Sequence, residues 1–468
     1  MYEVAQLIDG TWSAASAGRD LTVLNPRDDQ PVTRLSFSSS DEVAAAVRAA
    51  RAAAPDWART APAERGAALH AAAGAVDAAG DELAAMMAAE MGKPVAEARD
   101  TIAAGVGTLR QYAELGPVHR GRSLAGGADA VDLMAYQPRG VVAVLTPWND
   151  PVAVACGLLG AALVTGNTVV AKPSERTPAT GARLVELVAP HFPDGVLNLV
   201  NGDGEVGAAL AASPVDVVAH VGSTATGRAI AAACARTGAK ALLENGGKDP
   251  LIVDADVDPR WAAGQAALGA FANSGQICVA VERIYVHRSL AEPFLAALAD
   301  EADQWQPRLG PLVDRRLRDA VDDQVQQAVK AGAEALRGGS APAGPGAWYP
   351  PTVLAGCTDD MAVMREETFG PVAPVAAVDS FDEALARAGD SAYGLAATVL
   401  TRSMSHAQRA WRELPAGTVK VNAVFGGAPG GAAHPRRGSG QGYGYGPELL
   451  DEMTTTTVVH LTAPPHGW

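Results

Sequence analysis

The sequence predicts an α/β fold carrying two doubly wound parallel sheets, a Rossmann-like unit followed by a second α/β unit. Three observations predict it. Short β-branched runs recur from Val141 onward, each is followed by a helical segment, and the same texture resumes after Leu251. Alternation of that kind makes parallel sheets with helices on both faces. At 468 residues the chain is long enough to build more than one core.

The elements follow in order. SSDE at Ser39–Glu42 supplies a capping box, and Val43, Val47 and Ala50 share one face, so a helical region runs from Ser39 to about Glu90 with its stop at Gly92 and Pro94. In residues 120–138, MAYQ reads as a strand with no neighbouring helix, which predicts a protruding hairpin. The runs VVAVL (141–145), TVVA (168–171), VLNLV (196–200) and VVAHV (217–221) alternate with helices starting near Pro151, Pro178, Glu205 and Thr224. The longest apolar stretch, Val152 to Val164, is shorter than the roughly 18 residues a bilayer requires and reads as a core helix. Beyond Leu251 the pattern predicts a helix ending near Gln276, a strand at Arg283–His287, helices near 289–304 and 319–331, and strands up to Asn422. Gly/Pro-rich stretches at 338–351 and 426–446 are loops, and Thr454–Val459 is a final strand.

Composition narrows the function classes. The chain carries 37 Lys+Arg against 52 Asp+Glu, a net charge of −15, which is the wrong sign for a phosphate-backbone binder. Cys156, Cys234, Cys278 and Cys357 lie far apart with no C-x-x-C, so neither a disulfide framework nor a structural zinc site is expected. The nine histidines form no ligand-spaced cluster, and no metal is expected. The opening MYEVAQLIDGTW shows no basic segment followed by an apolar one, and a cytoplasmic location is expected.

Ligands of doubly wound sheets bind at the carboxyl ends of strands, which directs attention to the residues just after each run. In FANSGQICVAVER, Cys278 lies between a predicted helix and a strand, where a thiol can face a cleft; the plain alternative is a buried structural cysteine, the role assigned to Cys156 and Cys234. In LLENGGKDP, Glu244 lies just after a strand-like run and before paired glycines, a possible general base if the fold brings it to that thiol, or merely a solvated charge or cap. In LTPWNDP, Asn149 follows the first strand and suits either an oxyanion donor or an Asx turn before Pro151. In AKPSERTP, Lys172 and Glu175 follow the second strand, where a carboxylate commonly takes ribose hydroxyls. A G-x-G-x-x-G also occurs, Gly202-Asp-Gly204-Glu-Val-Gly207 after VLNLV, and alone it is a weak signal.

These segments, together with HVGSTATGR, REETFGPV, YGLAATV and GTVKVN, resemble the aldehyde dehydrogenase superfamily from about Ile8 to Val459. The resemblance implies a cofactor domain (1–119 and 139–246), a catalytic domain (247–445) and a β oligomerisation element (120–138 and 446–468), assembled as a homodimer or homotetramer. It implies Cys278 as nucleophile, Glu244 as the base that activates water, and Asn149 with the Cys278 N–H as an oxyanion hole. NAD, with NADP possible, would be held by Lys172, Glu175, Gly222, Ser223, Gly246 and Glu367, with Trp148 and Phe369 as walls. The expected reaction is oxidation of an aldehyde to an acid by hydrolysis of a thioester. Transfer to coenzyme A and a non-catalytic dinucleotide-binding relative stand as alternatives.

The sequence also departs from the family. Asn245 stands where a small or aliphatic residue is usual, and Asp150 replaces an aromatic or aliphatic residue after Asn149. The family's Pro-Phe-Gly-Gly loop aligns with Ala432, Ala433, His434 and Pro435, followed by Arg436 and Arg437, and Tyr443 replaces an arginine. Asp150, Ile277, Val279, Arg436 and Arg437 are the candidate substrate contacts, and the charged three predict a polar, amino- or carboxy-bearing aldehyde.

Overall fold

The structure is a computed structural model and describes residues 1–426 and 433–464. Ala432, from the divergent late loop, lies outside the described residues.

The first half of the chain begins with helices. Ser39 caps Ser40–Arg59 through the expected box, its side chain accepting from the Glu42 N–H while the Glu42 carboxylate takes the Ser39 N–H. The single helical region expected from 39 to 90 is three helices, Ser40–Arg59, Pro62–Ala78 and Gly80–Met91. Thr60 and Ala61 are pushed extended ahead of Pro62, and the chain restarts there. Gly92 closes the run in the left-handed conformation, with φ 81°.

The eight-stranded sheet has the order Gly440–Gln441, Lys240–Glu244, Val217–Val221, Val141–Leu145, Thr168–Lys172, Leu197–Leu199, Gln6–Ile8, Thr11–Ser13. Its five central strands run parallel. Those formed by Val141–Leu145, Thr168–Lys172 and Val217–Val221 are buried along their whole length, as strands covered on both faces must be. From Val141–Leu145 the chain first builds outward through Thr168–Lys172 and then crosses to Val217–Val221 on the other side. That reversal opens a crevice at the carboxyl ends, between the loops carrying Asn149 and Ser223.

The seven-stranded sheet has the order Glu334–Arg337, Thr352–Ala355, Val372–Val378, Val281–His287, Asp249–Val253, Ala396–Leu400, Thr418–Val421. All neighbours are parallel except the first pair. It meets the crevice with its amino ends: Cys278 precedes Val281–His287, Lys248 precedes Asp249–Val253, and Glu367 and Phe369 precede Val372–Val378. The carboxyl-end rule thus holds for one sheet only.

Ala130–Pro138 pairs antiparallel with Arg122–Leu124 as the expected hairpin, and Thr454–Thr462 adds along its other side. The apolar segment Pro151–Val164 is a core helix with twelve buried residues. Among the described residues no helix is long and apolar enough to cross a membrane.

Candidate active site

A cavity of about 840 Å³ fills the crevice of the first sheet. Trp148, Lys172, Glu175, Gly222, Ser223, Gly246, Glu367 and Phe369 all line it, and Asn149, Glu244 and Cys278 line it as well. Residues from four strand ends and two loops of the second half therefore converge on one space.

The thiol end is built by a strained turn. Asn273, Ser274 and Gly275 have φ of 47°, 56° and 74°, three successive residues in the left-handed region, at a cost of roughly 1–2 kcal/mol for each non-glycine residue. Side chains hold the turn. Asn273 Nδ2 donates to Gln276 O at 3.0 Å, Gln276 Nε2 donates back to Asn273 O at 3.1 Å, and Ser274 Oγ donates to Gly310 O at 2.7 Å. Gln276 Oε1 accepts from Val313 N at 2.8 Å. Gly275 is obligatory, since a Cβ there would land on the Gly370 carbonyl.

Beyond the turn, the half-buried Cys278 thiol donates to Glu244 Oε1 at 3.9 Å. Burial pushes the thiol well up, and the negative charges of Glu244, Asp249, Glu367 and Asp150 push it further. Burial also raises Glu244, against which the Cys278 hydrogen bond acts. The resting pair is accordingly a neutral thiol facing a carboxyl group whose proton affinity is increased. Asn149 Nδ2 donates one hydrogen to Gln276 O at 3.1 Å, leaving its second amide hydrogen for another acceptor.

At the neighbouring wall, Glu367 Oε1 accepts from Gly247 N at 3.0 Å, and a Cβ on Gly246 would collide with that carboxylate. Burial and the charge of Glu282 push Glu367 up to about 7. Buried Lys248 donates to Glu282 at 2.9 Å and to Thr368 Oγ1 at 2.9 Å, while Glu282 takes the N–H groups of Thr368 and Phe369, both at 2.9 Å. This clamp holds Phe369 at φ 55°, with its ring edge-on to Trp148 at 5.4 Å between centroids. Arg176 stacks over the other ring region of Trp148 at 5.2 Å.

Toward the far end, Lys172 Nζ donates to Pro173 O at 2.8 Å and Gly202 O at 2.7 Å, and burial lowers it to about 8. Glu175 lies beside it on the lining. Gly222 passes so close to the His220 ring that a Cβ would come within 2.7 Å of it. Ser223 caps the helix Thr224–Thr237, whose amino end faces the cavity with its dipole favouring an anion.

The substrate candidates do not all join this site. Ile277 and Val279 flank Cys278, half-buried and off the cavity lining. Asp150 turns away toward the helix Val95–Leu115; its Oδ1 is 3.7 Å from buried Lys93 Nζ, so its charge is already offset. Arg437 does not reach the cleft. The 433–442 segment folds back on strand Lys240–Glu244, and Arg437 Nη1 donates to Gly389 O at 2.8 Å and Ser391 O at 2.5 Å. Gly389 ends the helix Phe381–Gly389, where free carbonyls and the dipole attract a cation. Arg436 is exposed, its N–H on Gly394 O. Ala433 is half-buried, Pro435 buried, and His434 Nε2 accepts from Gly442 N at 3.2 Å.

Asn245 is a clamp. Its N–H donates to Ser439 O at 2.8 Å and its Nδ2 to Gly438 O at 3.1 Å, fastening the returning segment beside Glu244. Sequence reasoning missed Asn273, Gln276, Lys248 and Glu282. A buried lysine immediately before a strand and an acid inside a buried strand were the available signals, but their partners are distant in the chain.

A dinucleotide-sized cavity at the switch point of a doubly wound sheet, closed by a thiol under a carboxyl group, defines an oxidoreductase that works on a carbonyl carbon. Comparison with known proteins agrees. Residues 12–459 match the aldehyde dehydrogenase family. The chain is 36% identical to betaine aldehyde dehydrogenase of Cereibacter sphaeroides over 433 residues, covering 90% of this chain and 89% of that one. It is also 36% identical to the NADP/NAD-dependent aldehyde dehydrogenase PuuC of Escherichia coli, covering 89% and 87% of the two chains. The solved structure of indole-3-acetaldehyde dehydrogenase complexed with NAD+ superposes with a TM-score of 0.96 at 33% identity, covering 99% of this chain and 97% of that one.

The chain belongs to the aldehyde dehydrogenase family. It is an enzyme of NAD(P)-dependent aldehyde oxidation.

Proposed function

We propose that the protein oxidises an aldehyde to the free carboxylic acid through a thioester on Cys278, hydrolysed by water. The observation that carries this reading is the Cys278 Sγ to Glu244 Oε1 contact of 3.9 Å at the closed end of the cavity. Sulfur attacks the carbonyl carbon and forms the S–C bond as its proton passes to Glu244. The carbonyl oxygen, now negative, takes hydrogen bonds from the second Asn149 amide hydrogen and the Cys278 N–H. A nicotinamide held by the lining would supply the hydride acceptor for that carbon. The carbon is then a thioester. Glu244, having released its proton to solvent, takes one from water as oxygen adds, and the C–S bond breaks with sulfur as leaving group.

The lining fits the cofactor. Glu367 and Lys172 supply polar groups for the two riboses, the capped helix at Ser223 suits the pyrophosphate, and Trp148 and Phe369 form an apolar wall. Glu175 favours NAD over NADP, since a carboxylate accepts from a 2′-hydroxyl and repels a 2′-phosphate.

The two sheets support a cofactor domain of 1–119 and 139–246 with a catalytic domain of 247–445, and the antiparallel sheet supports an oligomerisation element of 120–138 and 446–468. A homodimer or homotetramer follows in this reading. A free thiol nucleophile suits a reducing compartment such as the cytoplasm. The polar aldehyde expected from the charged candidates is not carried into this reading, since Asp150 is offset by Lys93 and Arg437 is spent on backbone carbonyls.

The test is reduced-nicotinamide absorbance with aliphatic, aromatic, amino- and carboxy-aldehydes, without coenzyme A, in wild type and Cys278→Ala. Turnover lost in the variant supports the thiol route. A requirement for coenzyme A overturns the hydrolytic step, and the rank order of the aldehydes gives the substrate class.

A further inference from the structure

The turn that presents Cys278 is held from outside by a residue far away in the chain. Glu97 sits in the first turn of the helix Val95–Leu115, and its Oε2 accepts from Asn273 N at 2.8 Å, across 176 residues of sequence. Asn273 is the first of the three left-handed residues, the point at which the chain leaves ordinary helical geometry. Its own amide donates to Gln276 O at 3.0 Å and to Asn149 O at 3.4 Å. Gln276 O is in turn the acceptor for Asn149 Nδ2. A short line of hydrogen bonds therefore runs from Glu97 through Asn273 to Gln276 O, which holds the side chain of Asn149 and whose peptide immediately precedes the one carrying the Cys278 N–H. Lys93, one turn earlier in the chain, offsets part of the negative charge at this corner, with Nζ at 3.3 Å from Thr101 Oγ1 and 3.7 Å from Asp150 Oδ1.

We propose that Glu97 is a positioning residue for the reaction: its carboxylate holds the Asn273 peptide in the left-handed turn, and so keeps the Asn149 amide and the Cys278 N–H aimed at one point. This inference rests on the oxyanion reading of those two donors. A bond to a charged acceptor is among the stronger hydrogen bonds, and it is set against a turn that two non-glycine residues adopt unwillingly. Without it, Asn273 relaxes toward ordinary φ, Gln276 O moves, and the two donors no longer converge. Displacement by about 1 Å is enough to cost on the order of 100-fold in a positioned reaction.

The experiment separates the oxyanion hole from the thiol itself. Acylation of Cys278 by p-nitrophenyl acetate passes through a tetrahedral oxyanion: sulfur bonds to the acetyl carbon and p-nitrophenolate leaves. Alkylation by iodoacetamide displaces iodide at a saturated carbon and makes no oxyanion. Both are followed without cofactor in wild type, Glu97→Ala, Glu97→Asp and Glu97→Gln. The expected result is acylation slower by about 10-fold to 100-fold in Glu97→Ala, with alkylation within about 2-fold of wild type. Glu97→Gln, which keeps an acceptor of the same length, restores most of the acylation rate. Glu97→Asp, one methylene shorter, behaves like the alanine variant, and it serves where Glu97→Ala fails to fold. Parallel loss of acylation and alkylation, or loss of neither, overturns the proposal. Asn149→Ala is measured alongside: unchanged acylation there overturns the oxyanion reading itself, whereas loss there with none in the Glu97 variants overturns the Glu97 assignment alone.

Discussion

At the scale of the residue, the site depends on carboxyl groups placed where water cannot freely reach them. Glu244 and Cys278 each resist ionisation through burial, and each is the other's nearest polar partner. The raised proton affinity of the Glu244 carboxylate suits it to take the proton the thiol gives up, so the pair becomes reactive when one proton moves from sulfur to the ionised carboxylate. Asn149→Ala removes a donor without touching either, so kcat is expected to fall by roughly 10²–10³ while NAD affinity, measured by quenching of Trp148 fluorescence, stays within about 2-fold. Glu367 carries a pH signature. Its carboxyl titrates near 7, raised by burial and by Glu282. A ribose hydroxyl donates more strongly to the ionised form, so NAD is expected to bind more tightly as pH rises from 6 to 8, and calorimetric titration of Glu367→Gln should lose that dependence. The same raised value means that stability from this group in the empty protein is present below the ordinary carboxylate range and is lost as pH rises toward 7.

At the scale of the element, short irregular pieces carry more function than the long regular ones. The turn Asn273–Gly275 stores strain that neighbouring side chains and Gly310 hold in place. Gly275→Ala combines a φ of 74° with a Cβ lodged in the Gly370 carbonyl, so it is expected to lower the melting temperature and abolish turnover together. The capping box at Ser39 acts differently. Ser39→Ala removes one cap from a helix far from the cavity, with an expected cost of about 1 kcal/mol in denaturant unfolding and no change in KM. The contrast tests whether the strained turn, and not general stability, governs activity.

At the scale of the whole molecule, two sheets approach the cleft in opposite senses, carboxyl ends from one and amino ends from the other. Glu244 and Asn149 come from the first, Cys278, Glu367 and Phe369 from the second. The third sheet leaves apolar side chains outside: Val458 and Leu461 on the nine-residue edge strand Thr454–Thr462, and Val131 on the strand it pairs with, are each more than half exposed. An open apolar edge of that length pairs readily with another chain. Val458→Lys is expected to shift the molecular mass in light scattering toward the monomer while leaving the NAD-binding cavity intact. A mass unchanged from wild type would remove the edge from the assembly.

What the residue order determined by itself was periodic and local. Alternating β-branched runs and helical segments specified the parallel strands from Val141 to Val221 almost to the residue, because side-chain period and burial on both faces are written along the chain. Ser39 and Glu42, three positions apart, announced their helix start for the same reason. The candidate thiol, carboxylate and amide were legible through their motifs and the family resemblance. Tertiary structure decided everything that needed two distant segments at once. Arg437 pairs with the end of a helix nearly fifty residues away, and Asp150 is offset by Lys93 from the loop between two earlier helices; neither partner is marked by spacing or periodicity. The Glu97 bond to Asn273 and the clamp of Lys248 and Glu282 on Phe369 are of the same kind. A hydrogen bond across 176 residues leaves no trace in local pattern, because its geometry is set by how the two sheets and their helices pack.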